Sequence, residues 1–206
     1  MLKIWGRANS SNVQKVLWTC EEIGIAFERI DAGGTFGKTK DAAYLAMNPN
    51  GLVPTVEDGK TVLWESNTIM RYLATTRGAT RLYPTDPVAR AFVERWMDWQ
   101  LASLGPPMTP LLFGYYRTPP EKRDHAALEA ARRTAIGVFT VLEGALADSG
   151  FIAGPDPTLA DCCLGIFVHR WHQYPIERPT LPKLSAYYER LAKRPGYRKH
   201  VLVPVT

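Results

Sequence analysis

Near the start of the chain Asn9, Ser10, Ser11 and Asn12 stand between a short apolar run and a stretch with apolar residues at helical spacing. That is the place where a strand passes into a helix, and free backbone N–H groups and the positive helix end favour an anion there. A thiolate suits such a position. A free thiol titrates near ~8.5, so lowering it by about two units needs roughly 2.7 kcal/mol. A hydroxyl bond to charged sulfur contributes about 1.5–3 kcal/mol and a helix end about 0.3–1 kcal/mol. One serine can therefore activate a bound thiol. Ser11-Asn12-Val13-Gln14 has the form of a capping box, which assigns Ser11 to the helix end and leaves Ser10 as the freer hydroxyl. Taken alone, polar residues at a helix start also fit simple capping.

Two further constellations lie downstream. In Asn50-Gly51-Leu52-Val53-Pro54-Thr55 a proline opens a strand. A cis Pro54 would turn the Val53 backbone outward, leaving its N–H and C=O to pair with an extended peptide; a trans Pro54 would be an ordinary edge residue. In Glu65-Ser66, at another helix start, the hydroxyl and helix-end N–H groups can take a carboxylate while Glu65 takes an ammonium. Together they read as a receptor for an α-amino-acid head group, or else as another N-cap.

The elements that position these residues divide the 206-residue chain in two. Residues 2–5 read as a strand, and the helix containing Val13, Val16, Leu17, Cys20 and Ile23 stops at Gly24. Residues 27–30 form a second strand, parallel to the first if the helix is a crossover. A short helix at 42–47 is followed by strands at 54–57 and 61–64 around the turn Asp58-Gly59, then by a helix over 66–76. This order predicts a small α/β domain of the thioredoxin type over residues 1–78, a linker over 79–86 and an all-α domain over 87–206. In the latter, Asp86-Pro87 opens a helix, Thr118-Pro119-Pro120-Glu121 reads as a capping box for a helix reaching about residue 148, and Thr158-Leu159-Ala160-Asp161 caps a nearly uncharged central helix. A last helix is expected from about 181 to 193.

Bulk properties exclude several functions. A hydrophobic share of 46% suits a packed core. The formal charge of +5 favours small anions, but basic residues are scattered without interleaved aromatics, so no nucleic-acid partner is expected. Cys20, Cys162 and Cys163 form neither an even framework nor a metal spacing, so no disulfide and no metal are expected. No stretch approaches a membrane span and the opening run is too short for a secretory signal, which makes the cytoplasm the expected location.

As an ordered set the three constellations resemble the glutathione transferase family over essentially the whole chain. Gly6 to Val16 is similar to the catalytic loop of bacterial, theta- and delta-like serine classes, Asn48 to Pro54 to the cis-proline segment, and Glu65 to Ile69 to the γ-glutamyl site. Thr158 to Asp161 matches the family's box in the core helix of the second domain. The resemblance implies glutathione as co-substrate, with Ser10 donating to its sulfur and Asn12 as the rival. It places the cysteinyl backbone on Val53 beside Pro54, and the γ-glutamyl end on Glu65 and Ser66. Gly51 stands where several classes have a histidine, so Lys38, Lys40 or Asn50 falls to the glycine carboxylate. A hydrophobic electrophile is expected against Trp99, Leu104, Met108, Phe113 and Tyr116, with the loop near Pro106-Pro107 setting specificity. The family also implies a homodimer, with Asp98 reaching toward the partner's ligand. The activity expected is attack of the glutathione thiolate on an electrophile. Alternatives are glutathione-dependent reduction of disulfides or peroxides, favoured if Asn12 governs the sulfur, and a non-catalytic binding module.

Overall fold

A computed structural model describes residues 1–148 and 150–205. Strands β1 (Leu2–Trp5), β2 (Phe27–Ile30), β3 (Thr55–Asp58) and β4 (Thr61–Trp64) form one sheet in the order β2-β1-β3-β4. β1 and β2 run parallel, joined by the crossover helix α1 (Ser11–Ile23), while β3 lies antiparallel to both β1 and β4. Gly24, at φ 79°, ends α1 in the left-handed conformation and donates back to the carbonyls of Cys20 and Glu21. α2 (Ala42–Met47) follows β2, and α3 (Ser66–Thr76) packs beside α1, burying Val13, Val16 and Leu17 with Ile69, Met70 and Leu73. β3 begins at Thr55, one residue later than its apolar pattern, because Pro54 has no N–H for the ladder. The thioredoxin-like arrangement expected from the element order is present.

Helices make up the second half: α4 (Pro87–Trp99), α5 (Gly105–Tyr116), α6 (His125–Ala145), α7 (Leu159–Gln173), α8 (Pro182–Ala192) and α9 (Pro195–His200). Three local expectations need correction. The supposed loop at Pro106-Pro107 is helical: a π turn over Gln100–Leu104 links α4 to α5, and prolines are tolerated in a helix's first turn because the N–H they lack has no partner there. The capping box at Thr118 does not form. Arg123 holds the Thr118 and Tyr115 carbonyls, at 3.2 and 3.0 Å, and α6 starts later, where the Asp124 carboxylate accepts from Ala127 N–H at 2.9 Å. The last predicted helix is followed by α9, whose Gln14 and Trp18 contacts come from the other end of the chain.

α7 is the central helix, buried continuously from Leu159 to Trp171. Its Gly165 lets Trp18 and Tyr197 approach so closely that an added Cβ would stand 2.8 and 3.0 Å from their rings. At its start Asp161 accepts from Thr158 N–H at 2.7 Å, Ile152 N–H at 3.1 Å and the Tyr187 hydroxyl at 2.6 Å. The Leu159 N–H also donates to the Leu82 carbonyl at 3.0 Å, tying α7 to the segment that joins the two halves.

Candidate functional site

Ser10 is the N-cap of α1, and Ser11 is the helix's first residue, reversing their expected roles. The capping box fails because its far member, Gln14, sends its amide to the His200 carbonyl at 3.0 Å. The Ser10 hydroxyl makes no capping bond. It is buried within the wall of a cleft of about 600 Å³ that lies between the opening loop and helices α5 and α7. Gly6 allows the loop to close on the helix, since a Cβ there would stand 2.4 Å from Val13.

The second constellation is held by side chains on either side of it. Asn48 donates to the Leu52 carbonyl at 2.9 Å and the Thr55 hydroxyl at 3.0 Å, while its own Oδ1 accepts from Asn50. The Tyr44 hydroxyl donates to the Leu52 carbonyl at 2.6 Å. Between these anchors the Val53-Pro54 bond is cis. Among the described residues neither Val53 N–H nor its C=O takes a hydrogen-bond partner. A strand edge with unpaired backbone groups is what an extended peptide needs.

Glu65 precedes α3 at φ 73°, a left-handed conformation uncommon for a residue with a side chain and a sign of local strain. It is exposed, whereas Ser66 is buried. Val53, Pro54, Glu65, Ser66, Asn50 and Asn12 border a recess of about 50 Å³. Asn12, Leu52 and Val53 border the larger cleft as well, so the two cavities meet at these three residues.

Not every predicted residue arrives. Lys38 and Lys40 are exposed and border neither cavity, although the Lys40 ammonium lies over Gly51, 2.8 Å from where a Cβ would stand. Of the predicted electrophile residues, Met108 and Phe113 line the cleft. Leu104 is wholly buried in the core, Trp99 packs edge-on against Trp96 at 5.2 Å, and the Tyr116 hydroxyl donates to the Gln173 carbonyl at 2.9 Å; none of these three lines the cleft. For Leu104 and Tyr116 the π turn is the reason. It turns the chain through a smaller angle per residue, so a face read at helical period beyond Gln100 falls out of phase. Asp98 is exposed and bonded to Arg71 of the same chain at 2.7 Å.

The sequence reading missed Gln100 and three arginines, Arg7, Arg117 and Arg170, all lining the cleft. Arg7 lies within the Gly6–Val16 segment already singled out, two residues before Asn9, and Arg170 is the arginine in the apolar stretch of α7. Either could have been noticed, but nothing local says that they converge. Burial pushes the Arg170 guanidinium below its usual range; Tyr174 opposes the shift, and repulsion from Arg117 and Arg7 adds to it.

Comparison with known proteins agrees with this architecture. The family model described as the N-terminal domain of glutathione S-transferase matches residues 9–76, and that of the C-terminal domain matches residues 126–190. Glutathione S-transferase GstB of Escherichia coli strain K12 is 41% identical, covering 100% of both chains. Glutathione S-transferase 3 of Zea mays is 32% identical over 97% of this chain and 93% of its own. The crystal structure of the theta class glutathione S-transferase of Xanthomonas axonopodis pv. citri with glutathione bound superposes with a TM-score of 0.95 at 45% identity, covering 100% of this chain and 99% of that one. By fold, by the order of its site segments and by relatives matched end to end, the chain belongs to the glutathione S-transferase family.

Proposed function

We propose that the chain is a glutathione transferase: it binds glutathione along the recess, lowers the pKa of its thiol at the mouth of the cleft, and directs the thiolate at an electrophile lying in the cleft. The observation that carries this reading is the Ser10 hydroxyl, free of capping and facing the cleft that Val53 and Asn12 also border. In this reading Val53 pairs through its backbone with the cysteinyl residue beside cis Pro54, and Glu65 and Ser66 hold the γ-glutamyl ammonium and carboxylate. Asn50, which borders the recess, is better placed than Lys38 or Lys40 for the glycine carboxylate. The tripeptide's sulfur then falls where the two cavities meet. Ser10 donates a hydrogen bond to it, and the amino end of α1 adds a favourable field. Met108 and Phe113 offer the electrophile an apolar surface. Trp99, Leu104 and Tyr116 act behind that surface, by packing.

Asn12 borders both cavities and so supports a second reading, in which its amide governs the sulfur and the chain reduces disulfides or peroxides with glutathione. Ser10→Ala and Asn12→Ala, each assayed for conjugation and for disulfide reduction, separate the two. Ser10→Ala is expected to raise the pKa of bound glutathione by about 1–2 units, the equivalent of one charged hydrogen bond. Equal indifference of both activities to both changes would refute the site.

Two copies of the chain pair through a face that includes Trp64, Val88 and Phe92, which are exposed apolar side chains here. Three buried free cysteines fit a reducing compartment, hence the cytoplasm. Among the described residues no helix is long and apolar enough to cross a membrane.

A further inference from the structure

Three guanidinium groups line the large cleft and, among the described residues, no carboxylate does. Arg7 comes from the loop before α1, Arg117 from the end of α5 and Arg170 from α7. Among the described residues none of them pairs with an acidic side chain, although most other arginines of the chain do. Arg170 is only 5% exposed and donates to the Asn9 carbonyl at 3.2 Å. The Nη1 of Arg7 is buried without a hydrogen-bond partner. Arg117 is exposed and lies over the Phe113 ring at 4.7 Å.

Such an arrangement is costly in the free protein. Buried charges are ordinarily paired, and three like charges facing one cavity repel. Burial, followed by repulsion from Arg117, pushes the Arg7 guanidinium below its usual range. An oxyanion entering the cleft would relieve the repulsion and supply an acceptor to the unpartnered Nη1 of Arg7, in the forked geometry for which arginine is suited. Beside the arginines Met108, Leu112, Phe113 and Phe167 form an apolar wall. The cavity therefore suits a molecule with a carbon body and an anionic end.

We propose that the electrophile conjugated by this chain is an organic anion, whose carboxylate or equivalent oxyanion is held by Arg7, Arg117 and Arg170. The proposal rests on the glutathione transferase reading. In that reading the tripeptide's own carboxylates lie along the recess near Ser66 and Asn50, which no arginine borders. The anion in the cleft is then the second substrate's. For an activated aryl chloride bearing a carboxylate, the thiolate sulfur forms a bond to the ring carbon and the carbon–chlorine bond breaks. Chloride leaves with the bonding pair, and the proton lost from the thiol passes to solvent.

The test uses the full chain and two synthetic thioether conjugates of glutathione, a carboxy-nitrophenyl conjugate and its neutral carboxamide, with glutathione alone as reference. Calorimetric titration is expected to show the carboxylate conjugate binding at least about tenfold more tightly than the carboxamide. Arg117→Ala should remove most of that difference while leaving glutathione affinity in place, and Arg117→Lys should keep part of it. The matched aryl chlorides should show the same preference in kcat/KM. Equal affinity of the two conjugates overturns the proposal, as does a preference that survives both Arg117→Ala and Arg7→Ala. A parallel loss of affinity for glutathione itself in Arg117→Ala also overturns it, by assigning the arginines to the tripeptide. Failure of glutathione and both conjugates to bind sinks the glutathione reading instead, and this one with it.

Discussion

Lys15 donates from Nζ to Oε1 of Gln100 at 2.5 Å, joining the first helix of the sheet domain to the π turn that begins the cleft wall. The ammonium is fully buried, and the groups it contacts are neutral: Gln100, the Asn67 amide oxygen at 3.3 Å and the Phe167 ring at 5.7 Å. Burial pushes its pKa down, although Cys163 and Glu65 pull the other way. Lys15 thereby fixes the orientation of Gln100, a cleft residue. Lys15→Met should destabilise the chain by about 1–3 kcal/mol because the Gln100 oxygen loses its donor. Combining it with Gln100→Leu should recover part of that loss. A double-mutant cycle by urea unfolding measures the coupling, expected at roughly 0.5–3 kcal/mol, and additive changes would contradict the linkage.

Asp161 predicts a large effect far from the cleft. Burial raises its carboxyl pKa, while the Tyr187 hydroxyl and the Thr158 and Ile152 N–H groups oppose that rise. Asp161→Ala strands those donors together in the core, and a loss of about 3–5 kcal/mol in guanidinium unfolding is expected. Tyr187→Phe leaves the Asp161 carboxylate its backbone donors, so it should cost nearer 1–2 kcal/mol.

The tripeptide site predicts a separation of kinetic constants. Glu65→Gln weakens the hold on the ammonium in ground and transition states alike, so KM for glutathione should rise roughly tenfold with kcat little altered. Ser10→Ala should instead lower kcat, and shift the rising limb of the pH–rate profile to higher pH, because the thiol then ionises later. If both variants change only KM, the assignment of Ser10 to the sulfur is wrong.

Three histidines set the acid side of stability. Burial lowers the pKa of His169, His172 and His200; the Val203 carbonyl opposes this at His169 and Glu21 opposes it at His200, while repulsion from Arg170, Arg178 and Lys199 respectively adds to it. A group whose folded pKa is depressed contributes stability above its unfolded value, near ~6.5 for histidine, and loses it as the pH falls. The melting temperature should therefore decline from about pH 7 toward pH 5. His169 bonds to the Tyr188 hydroxyl at 2.9 Å and the Val203 carbonyl at 3.1 Å, so His169→Gln should flatten the decline by removing one such titration. An unchanged slope in that variant would count against this source.

The cysteines should be inert. Burial pushes the thiol of Cys20 up to about 12 and that of Cys163 up to about 11, and that of Cys162 well above its ordinary value. A chromogenic aromatic disulfide should label none of them in the native chain and all three after unfolding, because the thiolate is the reactive form. Rapid labelling of the native protein would show that one of them is accessible and ionised.

What was legible in the sequence is what a few neighbouring residues decide between them. The stop at Gly24, the Asp58-Gly59 turn and the Thr158–Asp161 bond each depend on contacts within one turn of chain, so residue type and spacing were enough. The same holds for the opening-loop, cis-proline and Glu65-Ser66 segments as candidates. Which serine is the cap, however, was settled by Gln14 reaching for His200, a residue from the far end of the chain. The cleft is less local still: a π turn rotated Leu104 into the core, and Arg7, Arg117 and Arg170 meet only because α5 and α7 stand beside the first loop. Hydrogen bonding along the chain has short range and a fixed geometry, so it can be read in order. Packing brings together residues that the chain keeps far apart, and only the folded molecule shows which charges then face one another.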